Sequence, residues 1–488
     1  TQGVSSAASD VYKRQIYMKS LVLAEKPSVA RDIARVLGCH KNISGAIEGS
    51  NYIVTWALGH LVTLADPEEY DKKFKAWDMS YLPMVPKKWE LVVIKQTSKQ
   101  YHNVKTQLFR KDVSEIIIAT DAGREGELVA RWILDKSGCH KPIRRLWISS
   151  VTDKAIKEGF AHLKDGRAYN DLYHAARSRA EADWLVGINA TRALTCKYNA
   201  QLSCGRVQTP TLAMIAHREQ QIRSFKPEDY YGLRCTTSVT GGSVGTMASI
   251  VTWTWQQKKS GSLRSFNKDL ITGLDKKLKN QTLTVTDVHT SSKRTPSPGL
   301  YDLTELQRDA NKRFGFSAKE TLNIMQSLYE HHKVLTYPRT DSRYIGTDIV
   351  PTIKERLKAC NIGPYKKYIP ELLKKPLKTS KAFVDDKKVS DHHAIIPTEE
   401  YVQMEHMSNN ERKIYDLVVR RFISVLYPAF EYEQTTLKAE AAGETFTAKG
   451  KVIKAAGWKA VYADAASSGS SASVSYTHLR AHETRSNL

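Results

Sequence analysis

The stretch EIIIATDAGREGELVARWILDKSG, residues Glu115–Gly138, indicates the fold more directly than any other part of the sequence. It begins with three consecutive isoleucines, as expected for a buried strand, and continues with apolar residues at helical spacing. These apolar residues are Leu128, Val129, Trp132 and Ile133. A buried strand that leads through a short polar turn into a helix ending at a glycine is typical of a parallel α/β sheet.

A second strand–turn–helix unit lies near the N-terminus, where Leu21–Ala24 is predicted to be a buried strand and Ser28 to cap the following helix. Both units place carboxylates just after a strand, at the edge where ligands bind in open parallel sheets. The carboxylates are Glu25 in the first unit and Asp121, Glu125 and Glu127 in the second. Grouped carboxylate oxygens suit Mg²⁺. A solvated acidic helix start is the alternative for either cluster alone, and the two clusters together favour a metal.

The run LTYPRTDS, residues Leu335–Ser342, carries the clearest chemical signal. Pro338 disfavours the helical conformation for Tyr337 and favours an extended one. Residues i and i+2 of an extended chain project to the same side, so Tyr337 and Arg339 are expected to face one phosphate. The phenol would be the nucleophile, and the guanidinium would bind the phosphate oxygens. The alternative for this run alone is a strand with a packed tyrosine and a solvated arginine.

The composition predicts a polyanionic partner, because 74 Lys and Arg stand against 51 Asp and Glu among 488 residues, a net charge of +23. The 23 tyrosines suit stacking on unpaired bases, although most tyrosines simply pack. The six cysteines form no C-x-x-C pair, which indicates reduced thiols rather than a zinc ribbon or disulfide framework. No apolar run approaches membrane-spanning length. We therefore expect a soluble, cytoplasmic protein without a membrane segment.

Six short motifs, in this order along the chain, resemble those of type IA DNA topoisomerases, and the order matches the topoisomerase III branch. The motifs are Ala24–Ser28, Gly59–His60, Thr120–Glu127, Ser203–Thr209, Thr336–Ser342 and Asp391–Thr398. The resemblance extends from Met18 to about Val461. It implies a Toprim domain, a DNA strand-cleaving activity and single-stranded DNA as the partner, and it agrees with Mg²⁺ as the cofactor.

The resemblance also implies roles for individual residues. Tyr337 would become linked to a DNA 5′-phosphate, and Glu25 would transfer protons and serve as a candidate metal ligand. Lys26 and Arg339 would stabilise the phosphate, and His392 would be an accessory active-site residue.

One position departs from the family pattern. The acidic motif usually alternates Asp-x-Asp-x-Glu, but the middle position of this chain is Gly123. The loss of one carboxylate favours a single Mg²⁺ held by Asp121 and Glu125 over a two-metal arrangement. Glu127 is a candidate replacement for the missing carboxylate.

A further group of residues is expected to bind DNA. Arg179 and Asp183 are four residues apart on a predicted helix and so share a face, where a surface ion pair is the alternative role. Their family counterparts lie by the DNA-binding groove. The complete set of DNA-binding candidates is Arg179, Asp183, Ser203, Arg206 and Gln208, whose last three members carry donors suited to phosphate and base contacts. His60 would more often be a packed or solvated histidine.

The predicted fold is multidomain, α/β and α+β, and the resemblance implies a toroid. Its parts would be a Toprim domain (18–155), a helical DNA-binding segment (156–225), a β-rich hinge domain (226–298 and 432–465) and a gate domain with the catalytic tyrosine (299–431). Residues 1–17 and 475–488 are interpreted as a non-native leader and tail, the chain as truncated at the C-terminus, and His289–Gly299 as a linker.

The predicted function is cleavage of one DNA strand through a 5′-phosphotyrosine link, strand passage and religation. A nucleotide would not be needed, in agreement with the absence of a G-x-x-x-x-G-K-[ST] loop. We expect a monomer. The alternatives are a Toprim-type nuclease or primase, which would lack a covalent tyrosine, and a non-catalytic single-stranded DNA-binding fragment.

Overall fold

The computed structural model describes residues 18–239, 249–377, 379–389 and 392–463. The predicted leader and tail lie outside these residues, and so does Asp391 of the last motif. The chain divides into two compact units. The first contains the chain up to Ile215 together with Gly299–Phe422, and the second contains Ala216–Pro298 together with the chain from Ile423. The predicted toroidal arrangement and domain boundaries stay predictions.

A seven-stranded sheet forms the centre of the first unit, with the strand order β2-β3-β4-β1-β7-β8-β9. Strand β1 pairs in parallel with β4 and β7, and β7 pairs in parallel with β8, so the predicted parallel α/β sheet is confirmed. The remaining pairs, β2–β3, β3–β4 and β8–β9, are antiparallel. These strands are β1 (Lys19–Ala24), β2 (Lys41–Ile43), β3 (Ala46–Glu48), β4 (Tyr52–Trp56), β7 (Val113–Ala119), β8 (Ile143–Arg145) and β9 (Lys164–Asp165); the separate pair is β5 (Val62–Leu64) and β6 (Leu91–Val93).

Alternate side chains of the central strands enter two different cores, because successive residues of a strand point to opposite faces of a sheet. Leu21 and Ile116 pack in one core, and Val22 and Ile117 pack in the other. Helices cover both faces of the sheet. The helices in this part of the chain are α1 (Pro27–Val36), α2 (Pro67–Tyr70), α3 (Ser98–Leu108), α4 (Arg124–Ser137), α5 (Asp153–Ala161), α6 (Asn170–Tyr198) and α7 (Gln208–Ser224). Helix α7 has no buried residue, and the division between the two units falls within it.

The predicted capping of the first helix by Ser28 is wrong. The residue that precedes α1 is Lys26, in an extended conformation, and no side chain caps the helix. Pro27 occupies the first turn, where its fixed φ and missing N–H are favourable, and it moves the helix start ahead of Ser28. Glu25 and Lys26 consequently lie in the short turn between β1 and α1.

The second half of the first unit is helical around the tyrosine segment. Its helices are α9 (Leu303–Phe314), α10 (Ala318–Glu330), α11 (Ile353–Ala359), α12 (Ile369–Leu373) and the start of α13 (Asn409–Leu426). The tyrosine segment runs between α10 and α11 and is joined to residues 394–398 by an isolated bridge between Leu335 and Pro397.

The second unit contains a five-stranded antiparallel sheet with the order β10-β11-β14-β13-β12. Its elements are β10 (Arg234–Val239), β11 (Ser249–Gln256), α8 (Lys268–Leu278), β12 (Thr284–Thr295), β13 (Phe430–Ala441) and β14 (Glu444–Ala455). The predicted linker at His289–Gly299 is wrong for most of its length, because His289–Thr295 pairs with β13. Pro296 and Pro298 cannot donate to a strand ladder, and the strand ends before them.

Within the described residues, none of the helices combines the length and the apolar character needed to cross a membrane.

Candidate active site

The backbone holds Tyr337 against the end of the Toprim-like sheet. The chain around Tyr337 is not helical, in agreement with the effect expected of Pro338. The Thr336 amide donates to the Ile396 carbonyl (3.0 Å), and the Tyr337 amide donates to the Ser149 carbonyl (3.1 Å). These two hydrogen bonds anchor the backbone of the tyrosine segment to two other parts of the chain, at Ile396 and at Ser149.

The side chain of Tyr337 brings three parts of the sequence together. Its hydroxyl donates to Oδ2 of Asp121 at 3.2 Å. Its ring stacks on the imidazole of His392, with a centroid distance of 4.3 Å, and meets the edge of Tyr329 at 5.5 Å. The predicted nucleophile, acidic cluster and accessory histidine therefore lie in one place.

Glu25 and Asp121 form a pair of adjoining carboxylates at this site. The Asp121 amide donates to Oε2 of Glu25 at 3.1 Å. Burial and then the charge of Asp121 raise the pKa of Glu25 from 4.5 to about 7. Burial also raises the pKa of Asp121, although the charge of Lys26 and the hydrogen bond from Tyr337 oppose this shift. Glu25 is therefore partly protonated near neutral pH.

The loop that carries Asp121 is fixed by close packing. Arg145 is fully buried and donates to the Asp121 carbonyl (2.8 Å) and to the Thr120 carbonyl (2.9 Å). A Cβ atom added at Gly126 would lie 2.0 Å from the Asp121 carbonyl oxygen. Only glycine fits there, so the first turn of α4 passes directly against the acidic loop.

Two basic residues flank the tyrosine. Lys26 forms an ion pair with Glu330 at 2.7 Å. Burial lowers the pKa of Lys26, but the hydrogen bond to Glu330 and the charge of Asp121 outweigh this effect and raise it. Arg339 is exposed and lines a cavity of about 610 Å³ whose other lining residues include Arg124, Asp171, Asp341 and His392.

The tyrosine and the histidine are both neutral in this environment. Burial, followed by the charges of Asp121 and Glu25, raises the pKa of Tyr337 above its ordinary value, and the charge of Arg339 opposes this. Burial and the neighbouring His393 lower the pKa of His392 to about 4. Its Nδ1 lies 3.3 Å from the Ser149 hydroxyl, and no hydrogen-bond partner of its Nε2 lies among the described residues. The phenol must therefore lose its proton to attack.

Glu25 and Asp121 alone fit a divalent cation better than the predicted set of three ligands, which also includes Glu125. Two adjoining carboxylates with raised pKa values repel each other, and a cation relieves this repulsion. Among the described residues no group of three or more His, Cys, Asp or Glu side chains is arranged to hold a metal. Glu125, the third predicted ligand, is half exposed and is engaged by Arg179 and by His60 (3.5 Å).

Glu127 is not free to replace the carboxylate missing at Gly123. Its side chain is fully buried and forms ion pairs with Arg131 (2.9 Å) and Arg145 (3.0 Å). The helical period points Glu127 into the protein, away from the direction of Glu125. The interpretation of Glu127 as a candidate metal ligand is therefore wrong for this structure.

The predicted DNA-binding residues form part of a line of alternating basic and acidic side chains, which we call the charge ladder. It consists of His60, Glu125, Arg179, Asp183 and Arg206. Arg179 Nε lies 3.9 Å from Asp183 Oδ2, and Arg206 Nη1 lies 2.6 Å from Asp183 Oδ1. The ladder connects the acidic edge of the sheet with the Ser203–Thr209 motif.

Two further DNA-binding candidates lie at the end of the ladder. Ser203 and Gln208 are exposed, and Gln208 is the first residue of α7. The Gly205 amide donates to the Thr209 hydroxyl at 3.1 Å, which fixes the turn that leads into this helix. The structure thus brings Arg206 to the ladder and leaves Ser203 and Gln208 on the surface.

Sequence reasoning missed four residues that shape the site, namely Tyr329, Glu330, Arg145 and Ser149. Glu330 pairs with a lysine 304 positions away, and no local pattern reveals such a contact. Arg145 gave no local signal either, because it follows another arginine in the short strand β8 (Ile143–Arg145) and nothing in that pattern marks it as buried.

The architecture and the site define a Toprim-type protein with a tyrosine held against its acidic edge. The chain belongs to the type IA DNA topoisomerase family: the family described as DNA topoisomerase matches residues 167–483, and the Toprim domain matches residues 20–151.

Individual relatives agree with this assignment. The chain is 64% identical over 444 residues to a DNA topoisomerase 3 of Bacillus cereus, covering 91% of this chain and 59% of the relative. It is 60% identical over 444 residues to DNA topoisomerase 3 of Bacillus subtilis, covering 91% and 60%. The fold resembles full-length topoisomerase I from Thermotoga maritima, with a TM-score of 0.64 and 22% identity over 91% of this chain and 67% of that one. The chain thus spans about three fifths of the length of these Bacillus relatives.

Proposed function

We propose that this protein is an isomerase of DNA topology that cleaves one strand of single-stranded DNA, passes a strand through the break and rejoins it. The observation that carries the proposal is the contact of the Tyr337 hydroxyl with Asp121, beside Glu25. A phenol in a buried, acidic site has a proton acceptor at hand and can act as a nucleophile.

Cleavage would form one bond and break one. The Tyr337 oxygen attacks the phosphorus atom, the bond to the 3′ oxygen breaks, and the 5′-phosphate remains on the tyrosine. The phosphotyrosine bond retains the energy of the phosphodiester, so religation by the 3′ hydroxyl needs no nucleotide.

The acidic pair accounts for both protons. Asp121 accepts the proton of Tyr337, to which it is already hydrogen-bonded. In the site without a bound cation, Glu25, whose pKa of about 7 leaves it partly protonated at neutral pH, donates a proton to the departing 3′ oxygen. Religation reverses the two transfers.

The basic residues would stabilise the phosphate. Arg339 lines the cavity beside His392 and can bind phosphate oxygens with its guanidinium. Lys26 adds positive charge next to the acidic pair. The stacked, neutral His392 holds the ring of Tyr337 in place.

Mg²⁺ is the proposed cofactor, and Glu25 and Asp121 would hold it. When bound, it would supply positive charge for positioning the broken 3′ end. Because the proposed substrate is DNA and the thiols of the described residues are free, we place the protein in the cytoplasm and expect it to act as a monomer.

The test is the trapping of a covalent adduct. A single-stranded oligonucleotide labelled at its 3′ end is incubated with the chain and denatured, and the label should migrate with the protein. Tyr337→Phe should form no adduct and bind the oligonucleotide nearly as well. Tyr329→Phe is the matched control, since it removes a neighbouring buried hydroxyl and should still form the adduct.

Each remaining outcome identifies an alternative. Cleavage without an adduct would indicate a Toprim-type nuclease, and binding without cleavage a DNA-binding fragment. Binding should also weaken steeply with salt, because arginines and lysines release counterions from DNA. An adduct in Tyr337→Phe would refute the assignment of the nucleophile.

A further inference from the structure

Glu125 is paired with Arg179 in the charge ladder, and a DNA phosphate can compete with Glu125 for this arginine. Arg179 donates to Oε1 of Glu125, and His60 lies 3.5 Å from its Oε2. Both carboxylate oxygens are therefore engaged by basic side chains. A carboxylate engaged in this way is not free to bind a cation.

The ion pair between Arg179 and Glu125 is weak enough for Arg179 to leave Glu125 for another anion. The two side chains are 48% and 49% exposed. Pairs with this exposure contribute little stability, because water and salt screen them. A DNA phosphate is an equally good or better partner for a guanidinium, since it can accept two parallel hydrogen bonds.

The neighbouring acid on the same helix shows the contrast. Glu127 has no exposed side-chain area and is held by Arg131 and Arg145. Removing one partner of a buried pair leaves a buried charge uncompensated, so those arginines cannot move to a ligand. The two glutamates lie only two positions apart on α4 and differ in exposure. The buried Glu127 is fixed by its partners, whereas the exposed Glu125 can change partners.

We propose that Arg179 exchanges Glu125 for a DNA phosphate, and that this exchange releases Glu125 to the cation held by Glu25 and Asp121. DNA binding and Mg²⁺ binding are then coupled through one side chain. Arg179 acts as a positioning residue for Glu125 in the absence of DNA. The inference rests on the proposed function, because it requires the chain to bind DNA at this site.

The coupling is reciprocal by thermodynamic necessity. If DNA strengthens Mg²⁺ binding by some factor, Mg²⁺ strengthens DNA binding by the same factor. The strength of an exposed ion pair limits this factor to at most about fivefold. DNA affinity is therefore a readout of the coupling that does not depend on catalysis.

The experiment measures single-stranded oligonucleotide affinity by fluorescence anisotropy, with and without Mg²⁺ at constant ionic strength. All proteins carry Tyr337→Phe, so that no adduct forms. The quantity compared is the ratio of the two dissociation constants. Arg177→Gln and Glu181→Gln are the matched controls, because they break another ion pair of α6 (2.7 Å) that does not contact Glu125.

In the two controls, the ratio of the dissociation constants with and without Mg²⁺ should equal that of the protein carrying Tyr337→Phe alone. This ratio already includes the ordinary competition of Mg²⁺ for DNA phosphates. Arg179→Gln and Glu125→Gln should each reduce the increase in DNA affinity that Mg²⁺ produces, by a factor of up to about five. Without Mg²⁺, Glu125→Gln should bind DNA more tightly than Glu181→Gln, because Arg179 no longer has to leave Glu125 and keeps only its longer contact with Asp183 (3.9 Å).

Equal Mg²⁺ ratios in all five proteins would overturn the exchange. The same holds if Glu125→Gln binds DNA no better than Glu181→Gln without Mg²⁺. Failure of the proposed function is distinguishable, since it appears as the absence of a Tyr337 adduct in the chain that retains its tyrosine.

Discussion

Glu25→Gln should stabilise the protein at alkaline pH and leave its stability unchanged at acid pH. The pKa of Glu25 rises from 4.5 to about 7 in the folded protein, so folding binds a proton that the unfolded chain releases. The stability contributed by this proton is complete below pH 4.5 and is lost as the pH rises through 7. Glutamine does not titrate and keeps its contact with the Asp121 amide.

The magnitude follows from the size of the shift. A pKa that rises from 4.5 to about 7 corresponds to about 3 kcal/mol, since each unit is worth about 1.4 kcal/mol. At pH 8 the variant should therefore unfold at a temperature higher than the native chain by on the order of 5 °C. At pH 4 the two should coincide.

Thermal unfolding at pH 4, 6 and 8 measures this difference, and Glu68→Gln, a change at an exposed acid, is the control. Mg²⁺ should reduce the difference in unfolding temperature between the variant and the native chain at pH 8, because a cation bound by Glu25 and Asp121 stabilises the folded native chain. The reasoning is refuted if the unfolding temperatures of the native protein and the variant depend on pH in the same way, or if the difference between them increases as the pH is lowered.

Three further changes test the framework of the site. Gly126→Ala should destabilise the protein and prevent adduct formation, because the new Cβ would lie 2.0 Å from the Asp121 carbonyl oxygen; adduct yield and thermal unfolding check this. Glu127→Gln should cost about 3–5 kcal/mol in chemical denaturation, since Arg145 keeps its buried charge and loses its carboxylate. His392→Asn should slow cleavage without changing the shape of its pH profile between pH 6 and 8, because a pKa of about 4 leaves the native imidazole neutral throughout.

The sequence predicted the local elements well because their signals are local. A run of β-branched isoleucines after Glu115, bounded by a glycine-containing turn, favours a buried strand, and Pro338 acts on Tyr337 through the backbone alone. The same logic failed at Ser28, where two local preferences competed and the proline determined the helix start. It failed again at His289–Thr295, where pairing with β13 overrides a weak turn signal.

The roles of side chains were less predictable than the elements that carry them. The sequence placed Glu25, Asp121 and Glu125 at one edge of the sheet, and the structure joins only the first two directly. Which carboxylate is buried depends on Arg145 and Arg179, which come from other elements. Contacts between residues so distant in sequence leave no periodic pattern to detect.

Gly123 has a chemical rather than a conformational consequence for the site. Its φ of 165° is extended backbone that any residue adopts, so the fold does not require glycine there. The chain instead lacks one carboxylate at the acidic edge, and Glu127 is committed to buried arginines. Glu25 and Asp121 remain as the fixed acidic pair, and a third carboxylate can come only from a residue whose present partners are exposed. Glu125 meets that condition, which is why the exchange at Arg179 makes the acidic edge complete only when DNA is in place.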